Sequence, residues 1–142
     1  MKILVAVDGS KPALRALKYG IALLGGLRDK NNTVTLVSVH DDAGLHLAKA
    51  YVGKEAVADY LREASDKELA PARKLLDKAG IKHDMVIRTG HIAPEIVKLA
   101  KSGRFDLLML GSKGRHAVAD LLLGSVAQRV LATADTPVLL VK

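Results

Sequence analysis

The chain of 142 residues contains no cysteine, no tryptophan, one phenylalanine and three tyrosines. Without cysteine there are no disulfides, no thiolate metal ligands and no thiol nucleophile, and a reducing, cytoplasmic setting is the expectation. With so few aromatic rings, the platforms on which single-stranded nucleic acids stack are missing. The net charge of +7 is therefore read as compatible with a small anionic ligand, not as a nucleic-acid surface. No run approaches the roughly 20 apolar residues of a membrane span. The opening segment carries one basic residue and five apolar ones before Asp8, and reads as a strand, not a leader. Three signatures of common chemistries are also missing: GxxxxGK[ST], GxGxxG and GxSxG. A response-regulator arrangement is lacking too, because the first strand offers Asp8 alone and the third ends Ile87-Arg88-Thr89.

What is present is alternation. Residues 3–7 form a continuous apolar run, as in a strand covered on both faces. Ser10 is a candidate N-cap with Pro12 in the first turn, and Leu14, Leu17, Ile21 and Leu24 fall on one helix face. Lys11, Arg15 and Lys18 lie opposite, as a solvated face does. Gly25 and Gly26 stop this helix, and residues 33–39 form a β-branched second strand. Residues 41–53, with Asp41, Asp42, Gly44 and Gly53, are expected to be a loop holding a helical turn. A long helix over 54–79 should turn Val57, Leu61, Ala64, Leu76 and Ala79 inward, with Pro71 kinking it or ending its first half and Gly80 stopping it. Residues 82–88 make a less apolar third strand, nearer an edge. Gly90 leads to a short helix with Pro94 near its start and Ile96, Leu99 and Ala100 inward. Residues 105–110 are a central fourth strand, residues 125–132 a helix opened by a Ser125-x-x-Gln128 capping box, and residues 138–141 a fifth strand after Thr136-Pro137.

This pattern predicts a single α/β domain over residues 1–142, Rossmann-like, with a five-stranded parallel sheet and helices on both faces. If the two most apolar strands, the first and the fourth, are central neighbours, the strand order is 3-2-1-4-5. A ligand then binds beyond the carboxyl ends of those strands, where the order reverses. Asp8 and Gly111 both open onto that crevice.

The spacing Gly111-x2-Gly114-x9-Gly124-Ser125 follows the fourth strand directly. Glycine turns let backbone N–H groups approach a ligand, and successive N–H groups hold anions. A helix opening at Ser125 adds a hydroxyl and the positive end of its dipole. Together these donors suit a polyphosphate; the alternative is that the glycines only close a strand–helix loop. Asp8 has two compatible readings, acceptor for a ribose hydroxyl pair or Asx turn with Gly9-Ser10. Lys113 and Arg115 either neutralise phosphate or are solvated loop cations. His40, Asp41, Asp42 and His46 cluster with irregular spacing and read as loop residues, not as a metal site. His116 reads as exposed, not catalytic.

These residues carry a resemblance to the universal stress protein family. It extends over the whole length and rests on Val5-Ala-Val-Asp8-Gly-Ser10, on Gly90, Pro94 and Ile96, on residues 105–110, on the complete glycine pattern, and on Thr136-Pro137-Val138-Leu-Leu-Val141. The resemblance implies ATP, ADP or AMP as ligand. Ala6, Val7 and Asp8 would line it, Asp8 holding the ribose, and Val39 would border the adenine through its backbone. Leu110 and Gly111 would lie against ribose and α-phosphate. Ser112, Gly114, Arg115, Gly124, Ser125 and Val126 would surround the phosphates. Ala6 stands where some nucleotide-binding relatives have proline. The resemblance also implies a homodimer through Val138, Leu139, Leu140 and Val141, a short apolar edge strand that would be a liability unpaired.

Three functions compete at this level: a nucleotide-binding regulatory protein; a slow ATP-hydrolysing or phosphoryl- or adenylyl-transfer enzyme using Arg115, Lys113 and a Mg2+; and a scaffold whose glycines are only structural.

Overall fold

The structure, a computed structural model, describes residues 1–28, 31–115 and 122–142. In chain order its elements are β1 (Lys2–Ala6), α1 (Lys11–Gly25), β2 (Thr33–His40), α2 (Ala43–Val52), α3 (Lys54–Ala79), β3 (Lys82–Thr89), α4 (Ile92–Ser102), β4 (Leu107–Gly111), α5 (Ser125–Thr133) and β5 (Val138–Val141). The five strands form one parallel sheet in the order β3-β2-β1-β4-β5. β1 pairs with β2 through Ile3 and Val34 and with β4 through Ile3 and Leu107, which makes it the central strand.

Alternation along the strands explains the two layers. Ile3, Val5 and Val7 pack with Leu17, Leu24, Leu69 and Leu76 of α1 and α3 on one face. Leu4, Leu108 and Leu110 pack with Ile96, Ala100 and Val130 of α4 and α5 on the other. Successive side chains of a strand point to opposite faces, so apolar residues at every position are what a doubly covered sheet demands. β3 lies at one edge, with Met85 and Ile87 each 40% exposed, as its weaker apolar character foreshadows. β5 lies at the other.

Four local expectations are corrected. Residues 43–52 are a regular helix, separated from α3 by Gly53 at φ 88°, instead of a loop. Pro71 neither ends α3 nor divides it: the helix runs through it at an exposed position, where water can reach the backbone carbonyl that proline leaves without a donor. Ala79 is exposed in the last turn, while Ser65, Leu69 and Ala72 join the buried face. The bounds of two inner strands are also shifted: β1 stops at Ala6, and β4 starts at Leu107. Asp106 precedes it as a connector, its amide donating to the Lys2 carbonyl (2.9 Å) and its carboxylate accepting from the Lys2 amide (2.7 Å).

Candidate functional site

A cleft of about 600 Å3 opens beyond the carboxyl ends of β1 and β4. Its position follows from the topology. β1 leads to α1 on one face of the sheet and β4 to α5 on the other, so the chain parts between them. Ala6, Val39, Ile92, Ile96 and Leu110 give it an apolar wall. Asp8, His40, Asp41, Glu68, Lys113 and Arg115 bring charge and polarity, and the first turn of α5 closes it with Ser125, Val126 and Ala127.

Of the twelve residues singled out from the sequence, eleven line this cleft: Ala6, Val7, Asp8, Val39, Leu110, Gly111, Gly114, Arg115, Gly124, Ser125 and Val126. The twelfth, Ser112, does not. It is buried, its amide donates to the Val141 carbonyl (2.8 Å), and its own carbonyl accepts from the Gly124 amide (2.8 Å). Ser112 thus fastens the glycine turns to the sheet edge. His116 lies outside the described residues.

Asp8 joins the two chain segments. Its Oδ1 accepts from the Ser10 amide at 3.0 Å, an Asx turn that leads into α1, where the Ser10 hydroxyl caps by accepting from the Ala13 amide. Its Oδ2 accepts from the Arg115 amide at 3.1 Å. The Asp8 carbonyl also accepts from Arg115 Nε at 2.9 Å and from Arg115 Nη2. A carboxylate offers about four acceptor sites, and the Ser10 and Arg115 amides take two of them among the described residues.

The glycines fit tight approaches. A Cβ on Gly111 would lie 2.7 Å from Pro12, so the end of β4 can meet the start of α1 only without a side chain. A Cβ on Gly114 would lie 3.2 Å from Asp8 Oδ2. The expected Ser125-x-x-Gln128 capping box does not form, and the N-cap lies one residue earlier. Gly124 is the N-cap, with extended backbone and its carbonyl accepting from the Gln128 amide (3.0 Å), while the Gln128 side chain donates to the Leu123 carbonyl. Ser125 is therefore the first helical residue, exposed at the cleft, and its hydroxyl is not used for capping. The first amides of a helix have no intrahelical acceptor, and those of α5 belong to residues at the cleft wall.

Sequence reasoning missed Glu68. It comes from the middle of α3, yet its Oε1 pairs with Arg115 Nη2, and its Oε2 accepts from the Ser38 hydroxyl at 3.0 Å. Ser38 lies 3.3 Å from His40 Nε2, which is 2.7 Å from the Ser65 hydroxyl. A helical spacing of surface charges gave no sign of this, because the partners are 30 and 47 residues away. The irregular His–Asp cluster is also resolved. His40 turns into this network under α3, and His46 pairs with Asp42 at 3.7 Å. Asp41, Asp42 and His91 each bring a ligand atom within 4.8 Å of one another at exposed or half-exposed positions.

The fold and cleft define a doubly wound α/β protein with an open cleft at its topological switch point. The family model of the universal stress protein family matches residues 1–142, and the chain belongs to that family. Universal stress protein MJ0531 of Methanocaldococcus jannaschii is 31% identical over 141 residues, covering 99% of this chain and 81% of its own. A universal stress protein of Thermus aquaticus, from the QAH/OAS sulfhydrylase 3′ region, is 34% identical over 150 residues, covering 99% and 97%. Among solved structures, protein MJ0577 superposes with a TM-score of 0.85 at 30% identity, covering 99% of this chain and 94% of its own. A universal stress protein in complex with cAMP superposes with a TM-score of 0.61 at 27% identity, covering 100% and 96%. Among the described residues, no helix is long and apolar enough to cross a membrane.

Proposed function

We propose that this chain is a regulatory protein that binds ATP, ADP or AMP in the cleft between β1 and β4 and acts as a homodimer. The observation that carries the reading is the meeting, at Asp8, of an apolar wall with a wall of glycine turns, cations and helix amides. The volume lies within the roughly 300–1,000 Å3 of small-molecule sites. The complex of a related universal stress protein with cAMP supports an adenine nucleotide as the ligand class.

The parts divide as follows. Ala6, Val39 and Leu110 enclose the base, with Val7 beside them just past the end of β1. Asp8 offers its carboxylate to the ribose hydroxyls. Gly111, Gly114, Ser125 and Val126 present amides and a hydroxyl to the phosphates, Gly124 holds the second turn close by its bond to the Ser112 carbonyl, and Arg115 and Lys113 neutralise them. A Mg2+ accompanying a polyphosphate would be held by the phosphates, not by a dedicated cage. β5 supplies the dimer contact through Val138, Leu139, Leu140 and Val141. Its Pro137 and Val141 carbonyls accept from β4, so alternate residues, Val138 and Leu140, direct their backbone groups away from the sheet.

Titration calorimetry with ATP, ADP and AMP, with and without Mg2+, tests the site. Gly114→Val places a side chain against Asp8 Oδ2, and Gly124→Val crowds Lys113 and Gly114. Both should lower affinity at least about tenfold, and undiminished binding in the two variants removes the assigned site. Leu140→Pro deletes an outward N–H and should yield a monomer by sedimentation; an unchanged dimer rules out this edge.

A further inference from the structure

We propose that Glu68 is a specificity-determining residue, competing with the ligand's phosphates for the Arg115 guanidinium and so setting how strongly the cleft favours a longer phosphate chain. The proposal rests on the nucleotide reading above and goes beyond it in assigning a role to an acid in α3.

Glu68 is held by contacts on both carboxylate oxygens. Its side chain is 15% exposed, while that of Arg115 is 51% exposed. Oε2 accepts from the hydroxyl of the buried Ser38, and Oε1 pairs with Arg115 Nη2. Gly9, at φ 78°, gives the turn after β1 its left-handed backbone, and that turn lies alongside Glu68 of α3. The carboxylate is thus fixed at the cleft wall by a strand, a turn and the glycine loop.

Arg115 is the cation whose main chain is tied to Asp8 at the phosphate end, yet its guanidinium already satisfies a protein carboxylate. An entering phosphate must share that guanidinium with Glu68 or displace it. Either way Glu68 leaves a negative charge beside the ligand. Repulsion scales with the ligand's charge, so it falls hardest on ATP, less on AMP, and not on adenosine. The opposite role is also physically defined: were Glu68 needed to aim Arg115 at the phosphates, removing its charge would weaken ATP.

The test is titration of adenosine, AMP, ADP and ATP into the wild type, Glu68→Gln and Glu68→Asp, each checked for folding by circular dichroism and thermal melting. Glu68→Gln should tighten ATP by about fivefold or more and AMP by less, with adenosine unchanged, and the gain should shrink as ionic strength rises. Glu68→Asp keeps the charge and should retain the wild-type order of affinities even where packing suffers. In an Arg115→Gln background the gain from Glu68→Gln should be smaller, since the contested cation is gone. An unchanged or lowered ATP-to-AMP preference in Glu68→Gln, with nucleotides still bound, overturns the role of Glu68 and leaves the nucleotide site standing. A wild type that binds none of the four compounds overturns the nucleotide reading and this inference with it.

Discussion

At one end of the cleft, Ala6, Val39, Ile96 and Leu110 are extensions of the sheet and α4, packed in the same layer as the core. At the other end, Asp8, Glu68, Arg115 and the start of α5 are held mainly by hydrogen bonds between segments far apart in sequence. The first end inherits its shape from packing, which tolerates little change of volume and offers no charged partner to a ligand. The second is set by which donor meets which acceptor, so single side chains can alter it without touching the core. For the nucleotide site proposed above, the contrast predicts that affinity for the base and affinity for the phosphates can be varied separately, with Asp8 as the seam.

The largest expected effect abolishes both ends together. Gly111→Val forces a side chain into Pro12 and should destabilise the fold by about 3 kcal/mol or more, read by urea unfolding. A variant of wild-type stability would mean that β4 and α1 can part without consequence. Asp8→Ala comes next. It removes acceptors from the Ser10 and Arg115 amides and should cost about 1–3 kcal/mol of stability. It should also weaken adenosine, AMP and ATP alike, by about tenfold, because it acts at the seam. A loss confined to ATP would shift Asp8 to the phosphate side. The smallest effect sharpens the comparison most. Ser125→Ala should change stability by less than about 0.5 kcal/mol, since the hydroxyl does not cap α5. It should weaken ATP by a few-fold and leave adenosine alone. A stability loss of about 1 kcal/mol would restore Ser125 as the cap.

The same contrast decides what could be read from the residues alone. The strands and their order were legible because a doubly covered parallel sheet requires near-continuous apolar runs, and residues 3–7 and 105–110 supply them; Ala6, Val39 and Leu110 at the cleft came only from the family resemblance. The glycine pattern was legible because close backbone approach excludes side chains, as Gly111 and Gly114 show. α2 was hidden for a physical reason: Leu47, Tyr51 and Val52 are 67%, 84% and 62% exposed, so this helix shows no buried stripe, and its aspartates and glycines look like loop. Ser125 was misplaced by one position because Gly124 can cap through its backbone conformation alone. Glu68 was invisible because its meaning lies in Ser38 and Arg115, which only the folded chain brings to it.

The most direct test is an ATP titration of isotopically labelled protein followed through backbone amide resonances. The account predicts saturable shifts at Gly114, Arg115, Ser125 and Val126 together with Val7, Asp8 and Val39, with β3 unmoved. Saturable shifts centred on β3 or on the outer faces of α2 and α3, with the residues around Asp8 and Gly114 silent, would contradict it.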